Sequence, residues 1–308
     1  MLQVRIGVNP TCWMNTPLPS FRRSLSQEQL LSEISFMGYQ GVEPNNFLHE
    51  NTVISPAMLH ARDLSFIGKC HPTYILGNGI EKEIERFKQQ LDEVFRLGGE
   101  VVILVESTGA VCRRKGVPLT RRPIIREEKT WKELCEGLER MARLIHECGI
   151  ISAYHHHMGT VIQSKQDIDK LMQGTEALGL LYDTGHIAFA QENLLSILQE
   201  YHSRITHVHI QSVSPSVLPL ALKEDRSFFT SIENGIFTMP GEQEWLGFEE
   251  FLDLSPIIES LLASDYSGWI VIEGGHVPSS KDLFAYGTMG YEIIHSLLVQ
   301  EEFRYAKY

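Results

Sequence analysis

The chain has 308 residues, of which 43% are hydrophobic, enough to bury one large core. Lys and Arg number 27 against 39 Asp and Glu, a formal charge of -12, so the average surface repels a phosphate backbone and nucleic acid is not an expected partner. No apolar run approaches membrane-spanning length, which leaves small molecules as the expected ligands.

The N-terminal segment MLQVRIGVNP enters a short apolar strand pattern without the basic, apolar and small-residue regions of a signal peptide. Cys12, Cys70, Cys112, Cys135 and Cys148 are odd in number and never in CxxC spacing, so neither a disulfide framework nor a thiolate zinc site is expected. A reducing cytoplasmic setting fits this usage.

From the N-terminus onward, short apolar runs alternate with amphipathic stretches, as in repeated strand and helix units around a parallel sheet. Strands are predicted at residues 4–8, 41–43, 64–70, 101–106, 150–155, 180–183, 207–211 and 269–273. Runs such as VVILVE and WIVIE are apolar on both faces, as parallel strands covered on both sides must be. Helices are predicted at 26–37, 81–97, 128–148, 165–174, 194–203, 248–262 and 282–298. Ser26 suits a helix start, and Gly38, Gly98, Gly149 and Gly174 fall where helices should stop. Eight strands alternating with these helices predict an α/β fold, a (β/α)8 barrel in one domain over residues 1–308. The longer connections at 108–126 and 213–247 would then overhang the active face, as lids or as contacts of a homodimer.

Polar side chains recur at the C-terminal ends of the strands, where barrel active sites form: Glu43, Glu106, His155, Asp183, His209 and Glu273. A single carboxylate closing a strand commonly caps the next helix, but six recurrences call for another explanation. His155, Asp183, His209 and Glu273 close four successive strands and are candidates to converge on one ion. Mixed imidazole and carboxylate ligands suit manganese, cobalt, zinc or iron better than magnesium or calcium. Alternation in YHHHMGT sends His155 and His157 to one side and His156 to the other. His186, in DTGH, is a candidate substrate or supporting group. Asn9, Trp13 and Lys69 are further substrate candidates, Trp13 as an aromatic wall for a sugar-like ring. The basic run Arg113, Arg114, Lys115, Arg121 and Arg122 occupies the first long connection. Walker loops, GxGxxG after a strand and GxSxG are absent from the sequence.

The segments VRIGVNPTCW, MGYQGVE, VVILVESTG, YHHHMGTVI, LLYDTGHIAFA, THVHI, NGIFTMPG and GWIVIE together resemble the myo-inosose-2 dehydratase family, almost end to end. The resemblance implies a xylose-isomerase-like barrel, a divalent metal (cobalt or manganese), and dehydration of 2-keto-myo-inositol, a polyhydroxy ketone, to a cyclohexane-dione. It carries the metal ligands onto His155, Asp183, His209 and Glu273, with His155 where the wider group usually has Glu. Under that chemistry His157 or Glu273 is the expected base, and His186 or Lys69 the expected acid. The chain departs from the family's HVHLKDVR at Gln211, Ser212 and Ser214, from EAEQDP at Gly275 and Val277, and from PGDGxIDF after Pro240. Two alternatives stay open: a metal-dependent sugar isomerase or epimerase, and a diverged non-catalytic paralog that binds a sugar-like ligand or serves assembly, which ligand side chains lying apart or a pocket filled by Trp245 or Phe237 would favour.

Overall fold

A computed structural model of the chain describes residues 4–14, 25–44, 54–242, 252–275 and 282–305. Its strands are β1 (Val4–Asn9), β2 (Gly41–Val42), β3 (Ser65–Phe66), β4 (Gly68–Thr73), β5 (Val101–Glu106), β6 (Ile151–His155), β7 (Gly179–Asp183), β8 (Ile205–Ile210), β9 (Ser212–Val213), β10 (Phe237–Thr238) and β11 (Gly268–Glu273). Nine of them run in one sheet, in the order β3-β2-β1-β11-β8-β7-β6-β5-β4, with every pairing parallel.

The two ends of this order are halves of one strand, joined at Ile67. The Ile67 N–H donates to Val42 O, and Ile67 O accepts from Glu100 N and Val101 N, which closes the ring. The expected eight-stranded barrel is therefore present. Inward alternation slips at the joint, because Ile67 packs inside with Trp269 and Val271 while Cys70 packs inside with Val101, Ile103, Ala153 and Leu181. Lys69 and His71 consequently face the outer helices, as a one-residue slip in a strand requires.

The expected helices surround the barrel. Gln27–Phe36 starts in a capping box on Ser26, and Lys165–Gln173 in one on Ser164. The helix expected at 248–262 is seen as Ser255–Ala263, where Pro256 occupies the first turn; a proline lacks the N–H an interior position needs and favours a start. Residues 243–251, including Trp245, lie outside the described residues. Among the described residues no helix is long and apolar enough to cross a membrane.

The barrel floor explains two glycines. A Cβ on Gly41 would lie 2.6 Å from the Trp269 ring, and one on Gly7 would lie 2.1 Å from Ile67. These two strands give up side chains so that one indole, 2% exposed, can fill the interior. Trp269→Ala should lower stability by about 3–5 kcal/mol, the usual cost of emptying a buried aromatic site. Chemical denaturation measures this, and a loss below about 1 kcal/mol would mean that the floor collapses to refill the space.

The described parts of the long connections are structured and touch each other above the barrel. The segment after β8 holds the β9–β10 pair and the helices Leu218–Lys223 and Phe228–Glu233. Leu119 N donates to Arg226 O and Thr120 N to Asp225 Oδ1, at 3.4 and 3.3 Å. Between them lies a separate apolar cluster including Val111, Met158, Phe228 and Phe237. Arg122, from the basic run, is largely buried, pairs with Asp167 at 2.9 Å and donates to Thr160 O and Val161 O. It ties one active-face loop to another within the same chain.

Candidate active site and metal centre

Strands β6, β7, β8 and β11 are consecutive neighbours in the sheet, and each ends on or carries an inward polar residue: His155, Asp183, His209 and Glu273. Asp183 is the centre of this group. Its Oδ1 accepts the His186 N–H at 2.8 Å, capping the helix Thr184–Phe189. Its Oδ2 lies 3.2 Å from His155 Nε2 and 3.6 Å from His209 Nδ1. His209 Nδ1 is also 3.5 Å from Glu273 Oε1.

Two sets of three therefore share Asp183: Asp183, His209 and Glu273, and His155, Asp183 and His186, with ligand atoms within 4.8 Å in each. His155 and Glu273 fall in different sets, which Asp183 joins. His155 Nε2, Asp183 Oδ2 and His209 Nδ1 are buried without a hydrogen-bond partner although they face one another. Buried polar atoms are rarely left so, and two imidazole nitrogens beside carboxylate oxygens make a donor set that fits a divalent cation.

The electrostatics agree. Burial pushes the Glu273 carboxyl up to about 7, with Asp183 and Glu43 adding to it and His209 opposing it. Burial disfavours charge on His209, but Glu43, Glu273 and Asp183 outweigh it and raise His209 well above the ordinary imidazole range. Burial acts likewise against Asp183, where His186, His155 and His209 prevail and hold the carboxyl well below its usual range. Three carboxylates around one imidazole make a place that favours positive charge.

Beside this centre His157 and His186 lie with ring centroids 4.0 Å apart. Their hydrogen bonds to one residue give them opposite tautomers. His157 Nδ1 is 2.8 Å from Met158 O, an acceptor, so Nδ1 carries the proton and Nε2 the lone pair. Met158 N–H donates to His186 Nδ1 at 3.4 Å, so His186 carries its proton on Nε2. Phe228 packs 5.0 Å from His157, and Phe237 packs 5.3 Å from His186. Burial, and then His155, lowers His157 to about 3; burial, and then His157, puts His186 well below the ordinary range.

Asn9 enters the site, donating to Glu273 Oε1 at 2.7 Å and oriented by Thr11, whose hydroxyl donates to its Oδ1. Glu43 lies deeper, with His207 Nε2 at 2.7 Å. Three expected substrate residues are placed elsewhere. Lys69 pairs with Glu93 on the outer helix at 2.6 Å, because the slip at Ile67 turns it outward. Glu106 alternates outward on β5 and accepts from Thr73 Oγ1, Ile75 N and Thr108 N, fixing the turns beside it. Trp13 is 1% exposed and donates to Glu33, because β1 turns at once into the helix Thr11–Met14 and carries the indole under the helix layer.

The expected site lacks His207, and Gln211 enters the expectations only as a departure from the family pattern. His207 shares the inward face with His209, which the period of two in THVHI was enough to show. Gln211 donates to Glu273 Oε2 at 3.1 Å, a bond across strands that no local pattern reveals.

The comparisons with known proteins agree with this architecture. The description "Xylose isomerase-like TIM barrel" matches residues 32–286. The inosose dehydratase of Bacillus cereus is 33% identical, over 92% of this chain and 93% of that protein. The inosose dehydratase of Geobacillus thermodenitrificans is also 33% identical, over 92% and 94%. Among solved structures, an L-ribulose 3-epimerase superposes with a TM-score of 0.69 at 14% identity, covering 99% of this chain and 97% of its own. A probable 3-DHS dehydratase from Bacillus anthracis gives 0.67 at 12% identity, covering 94% and 98%. The chain is an enzyme of the dehydratase or isomerase kind, a xylose isomerase-like TIM barrel that belongs to the inosose dehydratase family.

Proposed function

We propose that the chain is a divalent-metal-dependent hydro-lyase that dehydrates 2-keto-myo-inositol or a closely related polyhydroxy ketone. The observation that carries the reading is the group of three buried ligand atoms, His155 Nε2, Asp183 Oδ2 and His209 Nδ1, facing one another without hydrogen-bond partners. These residues, with Glu273, would hold a cation such as cobalt or manganese, which supplies Lewis acidity toward the carbonyl and an adjacent hydroxyl of the substrate.

The protein's own groups then divide the proton work. His157 Nε2, with its lone pair free, takes the proton from the carbon next to the ketone. His186 Nε2–H hydrogen-bonds the departing β-hydroxyl, which leaves as water with the proton that His157 took from carbon, so both imidazoles end neutral as they began. Carbon–hydrogen and carbon–oxygen bonds break, one carbon–carbon double bond forms, and the resulting enol gives the dione. The Phe228 and Phe237 rings pack on the imidazoles, of which His186 is buried and His157 half-buried, and keep both neutral, which preserves one as acceptor and the other as donor. Gln211 and Asn9, donating to opposite oxygens of Glu273, hold that carboxylate against rotation.

The test is turnover of 2-keto-myo-inositol and a panel of ketoses by cobalt- or manganese-reconstituted protein in deuterated buffer, following dione absorbance and isotope incorporation. Dione formation is the expected result. Deuterium incorporation without water loss would replace the dehydratase reading with an isomerase or epimerase. Inertness toward every substrate by metal-loaded protein would overturn both.

A further inference from the structure

We infer that Glu43 and His207 form a buried relay that holds the proton of His209 on Nε2 and thereby turns its Nδ1 lone pair toward the cation site. The inference rests on the metal-dependent reading above. It moves Glu43 from the substrate-contacting group to a positioning role and gives His207 a function of its own.

Glu43, His207 and His209 are 2%, 0% and 2% exposed, inside the barrel under the site. Glu43 ends β2, and the two histidines lie on β8, three places along the sheet, so the contact spans the interior. Glu43 Oε2 is 2.7 Å from His207 Nε2. Its Oε1 is 3.1 Å from His209 Nε2 and 3.5 Å from Asn9 Nδ2. Burial opposes ionisation of Glu43, but His209 and His207 overcome it and hold the carboxyl below its usual range. Oε2 takes the His207 contact and Oε1 faces His209 and Asn9, so neither edge of the carboxylate opens on the substrate.

His207 Nδ1 is buried without a partner, so a proton there would be an unpaired donor; the proton belongs on Nε2, facing Glu43. His209 has the same choice with larger consequences. Neither ring nitrogen has a hydrogen-bond partner, but Nε2 lies 3.1 Å from Glu43 Oε1, so a proton there meets the carboxylate's charge and Nδ1 offers a lone pair beside Asp183 Oδ2 and Glu273 Oε1. With its proton on Nδ1 instead, the Nε2 lone pair would face the Glu43 carboxylate and the cation site would lose a ligand. The Glu43 charge selects the first arrangement, and His207 prevents that carboxylate from turning away. A carboxylate behind a ligating imidazole is the usual means of fixing its tautomer. Here the carboxylate is itself anchored by a second histidine.

The same three residues each offer an atom within 4.8 Å of the others, so a second cation in place of the relay is the competing outcome. Two measurements separate them. Cobalt(II) titration of the unmodified chain, followed by visible absorption, should give one ion per chain. Glu43→Gln, whose amide would donate toward one of the histidines, should weaken that binding 10- to 100-fold, and His207→Phe should weaken it less, with Glu43→Asp recovering part of the loss. Nitrogen-15 NMR of the unmodified zinc-loaded protein should show His209 bound through Nδ1 and protonated on Nε2, and this decides the matter even if Glu43→Gln does not fold.

Unchanged cobalt affinity in Glu43→Gln, coordination of His209 through Nε2, or a second ion that disappears in His207→Phe would overturn the relay while leaving the metal-dependent reading standing. Absence of cobalt binding by the unmodified chain would overturn both.

Discussion

Asp183→Asn should abolish stable metal retention and reduce kcat/KM by at least about 10³-fold, roughly 4 kcal/mol of lost transition-state stabilisation. The substitution is nearly isosteric, and its amide oxygen can still cap the helix Thr184–Phe189 as Oδ1 does now. What it removes is charge at Oδ2, the atom common to both sets of ligands. Folding should therefore survive while the cation site fails. Metal content after dialysis, compared with circular dichroism and turnover, checks this, and a variant that retains both the ion and its activity would remove Asp183 from the centre. Chelation of the unmodified enzyme should reproduce the loss, and added cobalt or manganese should reverse it.

The second large effect is expected at the two imidazoles. His157→Gln should lower kcat by about 10²- to 10⁴-fold, the usual contribution of a positioned general base, and should abolish both dione formation and deuterium exchange at the carbon next to the ketone. His186→Asn should differ in kind. If His186 acts only on the leaving hydroxyl, its loss blocks dehydration but leaves carbon–hydrogen exchange running. Comparing exchange with product formation in the two variants reads the roles separately. Exchange lost from the His186 variant and kept by the His157 variant would reverse the assignment.

These assignments depend on Met158, whose carbonyl and amide contact the two rings. A side-chain substitution there leaves both backbone groups in place. That is why the opposed tautomers are a property of the chain path after β6 more than of any replaceable side chain, and why the YHHHMGT segment matters beyond its ligating histidine. The covering apolar cluster belongs to the same design. Residues from both long connections and from the loop after β6 build it, and Phe228 and Phe237 reach the imidazoles from above. Phe237 thus forms part of the wall around His186.

Much of the barrel was legible in the sequence because its strands are apolar on both faces, and its helices begin and end with residues whose backbone preferences are local. The positions of His155, Asp183, His209 and Glu273 followed from the same reading, since each sits where an apolar run stops and adjacent strand ends must lie side by side. Lys69, Glu106 and Trp13 show where this reasoning fails. Each was assigned to the pocket by its place near a strand end, but inward or outward direction depends on register. The slip at Ile67 reverses Lys69, regular alternation turns Glu106 outward to cap neighbouring turns, and the immediate helix after β1 carries Trp13 to Glu33.

By itself, then, the sequence determined the repeating strand and helix order, the resemblance to the inosose dehydratases and the four residues at the mouth of adjacent strands, because composition, period and spacing are properties of contiguous residues. Only the tertiary structure decided which carboxylates are free to ligate, which histidine nitrogen carries each proton, and that Glu43 lies against His207 and His209. Those facts arise where β2, β6, β7, β8 and β11 meet across the barrel, and they are set by hydrogen bonds between residues as far apart as Glu43 and His207.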